Sequence, residues 1–264
     1  MRVRRIFQAS GRFRSAQKCS NTRSMSAPPS APRLPLSGLK LVELGHYIAA
    51  PFATRLLADL GAEVIKVEPP GGDPVRGWGS NINGNAVWFS VHGRNKLSVT
   101  LDLKKPDDRA KLIALLRRAD GLIENFRAGY LERVGLGPDV LHGENPRLVI
   151  GRISGYGQDG PYKDKPAFGA IGEAMGGLRH LTGHPGEQGL PPPRCGVSIS
   201  DDLAGIYCAL AVVSACWAVK GDPNAKGRVV DVDLVSSVFS LMEGMLPEYG
   251  LFGWVRQPQG AAIK

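Results

Sequence analysis

Three short segments of this chain carry residue types suited to a phosphorylated, adenine-bearing ligand. Asn125-Phe126-Arg127 directly follows an apolar run that ends at Glu124. Arginine offers a planar fork for phosphate, and phenylalanine a face on which a base stacks. Arg94-Asn95-Lys96 precedes another such run and adds a second basic cluster. Gly155-Tyr156-Gly157-Gln158-Asp159-Gly160 matches the G-x-G-x-x-G pattern of dinucleotide sites. Its context is wrong for that use: Pro161 and Pro166 stop a long helix from starting, and no acid closes a second strand about 20 residues on. The segment reads instead as a Gly-rich turn at the carboxyl end of a strand, where ligands bind in open α/β sheets. Each basic residue taken singly is an ordinary solvated charge; the three segments together outline one site.

The elements that must position them alternate between short β-branched runs and helical patterns. That alternation predicts a parallel sheet covered on both faces. Strands are expected at Leu39–Leu44, Ala62–Glu68, Leu97–Leu103, Gly121–Glu124, Arg147–Ser154 and Gly227–Asp233. Helices are expected at 51–60, with a proline in the first turn, and at 106–119, with Leu112, Leu115 and Leu116 on one face. Two short helices are expected near 129–134 and 139–143, one of small residues over 170–181, and a last one over 234–252. Residues 69–90 read as a long loop. The run Leu203–Val219 carries no charge and is flanked by Asp201-Asp202 and Lys220. It falls just short of a bilayer span, and its small residues suit a helix buried between protein layers.

Of the 33 basic residues, eight (Arg2, Arg4, Arg5, Arg12, Arg14, Lys18, Arg23, Arg33) lie in the first 38 positions, which hold no acid. That leaves 25 basic against 24 acidic residues for the body, so the overall charge of +9 is no argument for nucleic acid. The Arg-rich, Ser-rich, acid-free start has the composition of a mitochondrial transit peptide, with Ile6, Phe7 and Phe13 spaced for a short amphipathic helix. Residues 1–35 are therefore read as a disordered leader directing the chain to the mitochondrial matrix, 36–254 as the folded domain, and 255–264 as a tail. Cys19, Cys195, Cys208 and Cys216 form no C-x-x-C and share no metal-ligand spacing with the five histidines. Neither a metal site nor a disulfide scaffold is expected.

The order L-x-G-L-K-L-V-E-L from Leu36, A-A-P-F-A-T at 49–54, L-G-A-E-V-I-K-V-E-P-P-G-G-D at 60–73 and R-N-K-L-S-V-T-L-D-L at 94–103 resembles the family III CoA-transferases, the CaiB/BaiF group. So do E-N-F-R-A-G at 124–129, I-S-G-Y-G-Q-D-G-P-Y at 153–162 and G-R-V-V-D-V-D-L at 227–234. The resemblance runs from about residue 36 to 250, and the mitochondrial glutarate CoA-transferases look nearest in organisation. It implies a Rossmann-like open sheet and transfer of CoA between an acyl-CoA thioester and a small free carboxylic acid. No tightly bound cofactor, nucleic acid or membrane span is implied. It also implies an interlocked homodimer for full-length members, which are longer and carry a second, smaller domain that this sequence lacks. On that resemblance the CoA groove is lined by Tyr47, Ile48, Arg94, Asn95, Lys96, Asn125, Phe126, Arg127, Tyr156 and Gly157.

The family's chemistry rests on an Asp that follows an aromatic residue, and here that position is Gly169 after Phe168. The nearest carboxylate is Glu173, one helical turn on and about 6 Å along the axis, so Glu173 is the expected replacement nucleophile. A CoA-binding protein without transfer activity is the alternative. A relative that racemises α-methylacyl-CoA is a further one, weakened because the His-Asp acid/base pair of that group is absent.

Overall fold

The computed structural model describes residues 4–5, 33–186, 189–260 and 262. The rest of the leader, including Arg2, Ile6, Phe7, Arg12, Phe13, Arg14, Lys18, Cys19 and Arg23, lies outside the described residues. In chain order the elements are β1 (Arg4–Arg5), β2 (Lys40–Glu43), α1 (Ala49–Asp59), β3 (Glu63–Glu68), β4 (Asn81–Ile82), β5 (Asn85–Ala86), α2 (Val87–Gly93) and β6 (Lys96–Thr100). There follow α3 (Pro106–Leu116), β7 (Gly121–Glu124), α4 (Tyr130–Arg133), α5 (Pro138–Glu144), β8 (Val149–Ser154) and α6 (Gly169–Met175). The last are α7 (Leu178–Leu181), α8 (Ile199–Gly221), β9 (Val229–Asp233), α9 (Leu234–Phe239) and α10 (Met245–Phe252).

Six strands pair in parallel in the order β6-β3-β2-β7-β8-β9, and β1 adds antiparallel on the outside of β6. Relabelled by sequence, the parallel order is that of doubly wound sheets, with its topological switch between β2 and β7. Because successive side chains of a strand point to opposite faces, each strand feeds two cores. Leu41, Val64, Ile123, Val149 and Ile153 meet α1 and α8 on one face. Val42, Val67, Leu122, Leu148 and Ile150 meet α3, α4 and α5 on the other. The two-sided cover accounts for the near-continuous apolar runs of β7 and β8, both buried along their whole length.

Helix starts follow local chemistry. Pro106 opens α3 with Asp107 and Asp108 behind it, where a fixed φ and negative charge suit a helix N-terminus. Three expectations need correction. The small-residue helix predicted over 170–181 is two helices, broken at Gly177 in the left-handed region (φ 92°). The last helix divides into α9, a 3-10 turn and α10, broken where Glu243 takes a positive φ. The predicted loop 69–90 contains the hairpin β4–β5 and the start of α2.

The helix α8 is long and apolar enough to cross a membrane by length and composition alone. It is only half a core helix. Ala204, Cys208, Val212, Ala215 and Cys216 pack into the sheet, while Leu210 and Trp217 stand exposed on the other side. Gly151 of β8 permits this close approach, since a Cβ there would lie 2.8 Å from Cys208 Sγ and 2.7 Å from Val212 Cγ2.

Candidate active site

At the carboxyl edge of the sheet the chain leaves β2 and β7 at the switch point, and the two exits are tied together. Asn125 Oδ1 accepts from the His46 backbone N–H (2.8 Å), and Asn125 Nδ2 donates to the His46 carbonyl (2.8 Å). The ring of Phe126 lies 5.4 Å from His46 and 4.4 Å from Tyr130. Tyr47 holds a left-handed backbone (φ 62°), a conformation costly for a non-glycine residue, with its N–H donating to Asp73 Oδ1. Behind this corner opens a cavity of about 380 Å3, within the range of small-molecule sites. Tyr47, Asn125, Phe126, Arg127, Phe168 and Asp201 line it, and Lys163 and Lys165 add two more cations to the lining. Aromatic faces beside three basic side chains suit a ligand with a ring and phosphates.

A buried ion network braces this corner from below. Glu43, at the end of β2, is fully buried and accepts from Lys66 Nζ (2.5 Å), Lys96 Nζ (2.7 Å) and Thr54 Oγ1 (2.6 Å). Burial opposes its ionisation, but the charges of Lys66 and Lys96 outweigh it and hold the Glu43 carboxyl at about 2. Lys66 is also paired with Asp73 (2.8 Å) and donates to the Gly45 carbonyl (2.7 Å). Lys96 donates to the Pro51 carbonyl (2.8 Å), and burial pushes it down to about 8 against the pull of Glu43. The two ammonium groups thus grip both ends of the segment 45–51 that forms the cavity wall.

The missing side chain at Gly169 is replaced in space by another carboxylate. A Cβ on Gly169 would overlap Asp201 Oδ2, so the niche beside the cavity is filled from α8. Asp201 has no ion-pair partner among the described residues; burial, with Asp202 and Glu173 nearby, pushes it up to about 6. Glu173 points elsewhere. It is fully buried, does not line the cavity, and is held by Arg194 Nη2 at 2.7 Å.

The sequence-derived site residues therefore separate into groups. Tyr47, Asn125, Phe126 and Arg127 come together on the one cavity. Ile48 lines a second hollow on the other side of the same wall. Tyr156 and Gly157 sit in the turn whose Gly155 lines the cavity, with the Tyr156 ring against Tyr162 at 5.6 Å. Arg94 and Asn95 are drawn away, both bonded to Asp59 at the end of α1. Lys96 is 1% exposed and wholly engaged in the ion network, so it is no phosphate ligand in this arrangement. A signal for this was present: residues that precede a parallel strand lie at the edge opposite those that follow one. Lys163, Lys165 and Asp201 were missed, although two lysines in a loop after β8 fall at the same carboxyl edge as Arg127.

Comparison with known proteins adds the lineage. The model of "CoA-transferase family III" matches residues 36–263. The chain is 48% identical over 231 residues to the succinyl-CoA–D-citramalate CoA-transferase of Chloroflexus aurantiacus, covering 87% of this chain and 56% of that one. It is 36% identical over 217 residues to the mouse succinyl-CoA:glutarate CoA-transferase, covering 81% of this chain and 49% of the relative. Among solved structures, a CAIB/BAIF family protein from Brucella suis aligns with a TM-score of 0.79 at 34% identity, over 86% of this chain and 60% of that one. The chain thus spans about half the length of the curated relatives it matches.

Proposed function

Because this chain belongs to CoA-transferase family III, we propose that it moves CoA between an acyl-CoA thioester and a small free carboxylic acid. The observation that carries the reading is the meeting of Tyr47, Asn125, Phe126 and Arg127 on one cavity at the switch point. Curated relatives named for succinyl-CoA, citramalate, malate, oxalate and glutarate support short dicarboxylic acids as the substrate class.

The exchange balances without an added reagent. A carboxylate of the enzyme attacks the thioester carbonyl, forming a C–O bond as the C–S bond breaks and CoA leaves as thiolate. The thiolate then attacks the enzyme carboxyl carbon of the anhydride, which expels the donor acid and leaves CoA on the enzyme. The acceptor carboxylate reverses both steps. Splitting one exchange into two acyl transfers is the advantage of a covalent intermediate.

Incubation with succinyl-CoA and labelled glutarate is expected to yield labelled glutaryl-CoA. Retained CoA binding with no exchange would instead support a CoA-binding protein, and loss of deuterium next to the thioester of a 2-methylacyl-CoA would support a racemase. Mass mapping of the trapped intermediate tests the two carboxylates that flank Gly169. A CoA adduct on Asp201 or on Glu173 names the attacking group, and an adduct on neither removes both from that role. The acid-free leader supports import into mitochondria, which a fluorescent fusion of residues 1–38 tests. The apolar side chains exposed on α8 and α10, among them Leu210, Trp217, Leu251 and Phe252, support self-association, which sedimentation tests.

A further inference from the structure

A second hollow of about 600 Å3 lies beside the first, and the two share a wall. The chain alternates across it: Tyr47 faces the first cavity, Ile48 the second and Ala49 the first. On α8 the same alternation puts Asp201 on the first cavity and Asp202 on the second. The second hollow is lined by the apolar side chains of Ile48, Phe52, Trp88 and Val91, interrupted by Arg55, Arg194 and His92.

Two of its polar groups, on Arg55 and His92, have an atom left unpaired among the described residues. Arg55 Nε is buried with no hydrogen-bond partner among the described residues, and the guanidinium lies 4.2 Å over the Phe52 ring. The nearby Asp59 carboxylate is occupied by Arg94 and Asn95. Asp202 also lines the hollow, close enough for its charge to act on Arg55. Burial and the charge of Arg94 lower the Arg55 pKa against the opposing pull of Asp59 and Asp202. His92 Nδ1 is likewise buried without a partner among the described residues, and burial pushes His92 down to about 4, so the ring is neutral at physiological pH. An unpaired buried donor on a cation is costly unless a ligand satisfies it.

We infer that the second hollow is the acid pocket, and that Arg55 binds the distal carboxylate of a dicarboxylic acid whose reacting end lies at the shared wall. The inference rests on the CoA-transfer reading for its reaction, but the pocket makes its own prediction about binding. The apolar lining accommodates the methylene chain, and Arg55, stacked on Phe52, supplies a pre-oriented fork for the carboxylate. Arg194 reaches the same space while paired with Glu173, which gives Glu173 a task as the counter-charge that holds Arg194 in place. Asp202 opposes an incoming anion and limits affinity.

The test titrates the CoA-saturated 264-residue chain with glutarate and with butyrate, reading the emission of Trp88, with Trp88→Phe as the control. Glutarate is expected to change the signal, and Arg55→Met to weaken its binding about 10- to 100-fold. Butyrate binding is expected to stay within twofold in the same variant. Arg55→Lys keeps the charge and loses the fork, so it falls between the two. Asp202→Asn removes a like charge and is expected to tighten glutarate, a gain that misfolding cannot produce. Arg55→Met leaving glutarate unchanged, both acids weakening equally, or no glutarate signal in the parent would each overturn the pocket. The two readings fail separately. Glutarate binding lost in Arg55→Met, with no CoA exchange in the parent, keeps the pocket and removes the transfer. Exchange indifferent to Arg55 does the reverse.

Discussion

Replacing Glu43 by glutamine tests whether the buried ion network sets the geometry of the cavity wall. The substitution keeps shape and removes one charge, leaving Lys96 without its carboxylate while Lys66 retains Asp73. The Glu43 carboxyl is held at about 2, against an ordinary 4.5. By linkage, that difference contributes about 3 kcal/mol of stability at neutral pH. The figure agrees with the loss of about 3–5 kcal/mol seen when one partner of a buried pair is removed. Glu43→Gln is therefore expected to lower the urea midpoint by about 1 M, taking a slope of about 3 kcal/mol per M.

The pH profile separates charge from packing. A carboxyl depressed in the folded state contributes fully above pH 4.5 and loses that contribution as pH falls through about 2. Lys96, at about 8, sheds its proton at higher pH, after which Glu43 has less to stabilise. The deficit of Glu43→Gln should thus be largest between about pH 4.5 and 8 and shrink on both sides. The pair Glu43→Leu with Lys96→Met should recover much of the loss, because a buried ion pair and an apolar pair of similar volume are close in energy. A deficit below 1 kcal/mol at pH 7, or one flat from pH 3 to 10, would refute the electrostatic account. Because Lys66 holds the Gly45 carbonyl and Lys96 that of Pro51, weaker CoA binding should accompany the loss of stability.

Asn125→Ala removes both bonds to His46 and is expected to weaken CoA binding about 10-fold, read by calorimetry, while Asn125→Asp, which sets a carboxylate against the His46 carbonyl, should do worse. Gly169→Asp should lower the melting temperature and raise no exchange rate, since its Cβ overlaps the Asp201 carboxylate; faster exchange would show that Asp201 yields the niche. Gly151→Ala forces α8 off β8 and is expected to cost about 1–3 kcal/mol in chemical denaturation. For Glu68, burial opposes ionisation, but bonds from Arg76, Ser98 and the Asp73 backbone outweigh it and hold the carboxyl at about 2. Stability from this site is present above pH 4.5 and lost as pH falls toward 2, and Arg76→Ala should flatten that part of an acid titration.

Local signals carried the fold a long way. The strand predicted at Gly121–Glu124 is the strand observed, because a small residue at one end and Asn125 at the other bound an apolar run buried on both faces. The core of six parallel strands follows from the same alternation. The hairpin 81–86 and the start of α2 escaped notice because residues 79–86 are polar and turn-rich, and their order rests on contacts outside that run, among them the packing of Ala86 and Phe89 on Val75. The breaks inside 170–181 and 234–252 depend on backbone angles at Gly177 and Glu243 that periodicity does not report.

What the sequence determined by itself is the set of edge residues that follow a strand. Chain direction alone sends Asn125, Phe126 and Arg127 to the carboxyl edge of a parallel sheet. Which charges are free there was decided only by tertiary structure. Lys96 looked like a phosphate ligand but ends beneath Glu43, 53 residues away in sequence. Glu173, the carboxylate the sequence offers beside Gly169, is paired with Arg194, while Asp201, 32 residues from Gly169, fills the niche that Gly169 leaves. A local pattern specifies where a side chain starts. Its partner, and hence whether its charge is spent or available, comes from segments that meet only when the sheet has closed. Lys96 and Glu173 find opposite charges there, while Asp201 finds none among the described residues and is pushed toward its neutral form, as burial away from water dictates.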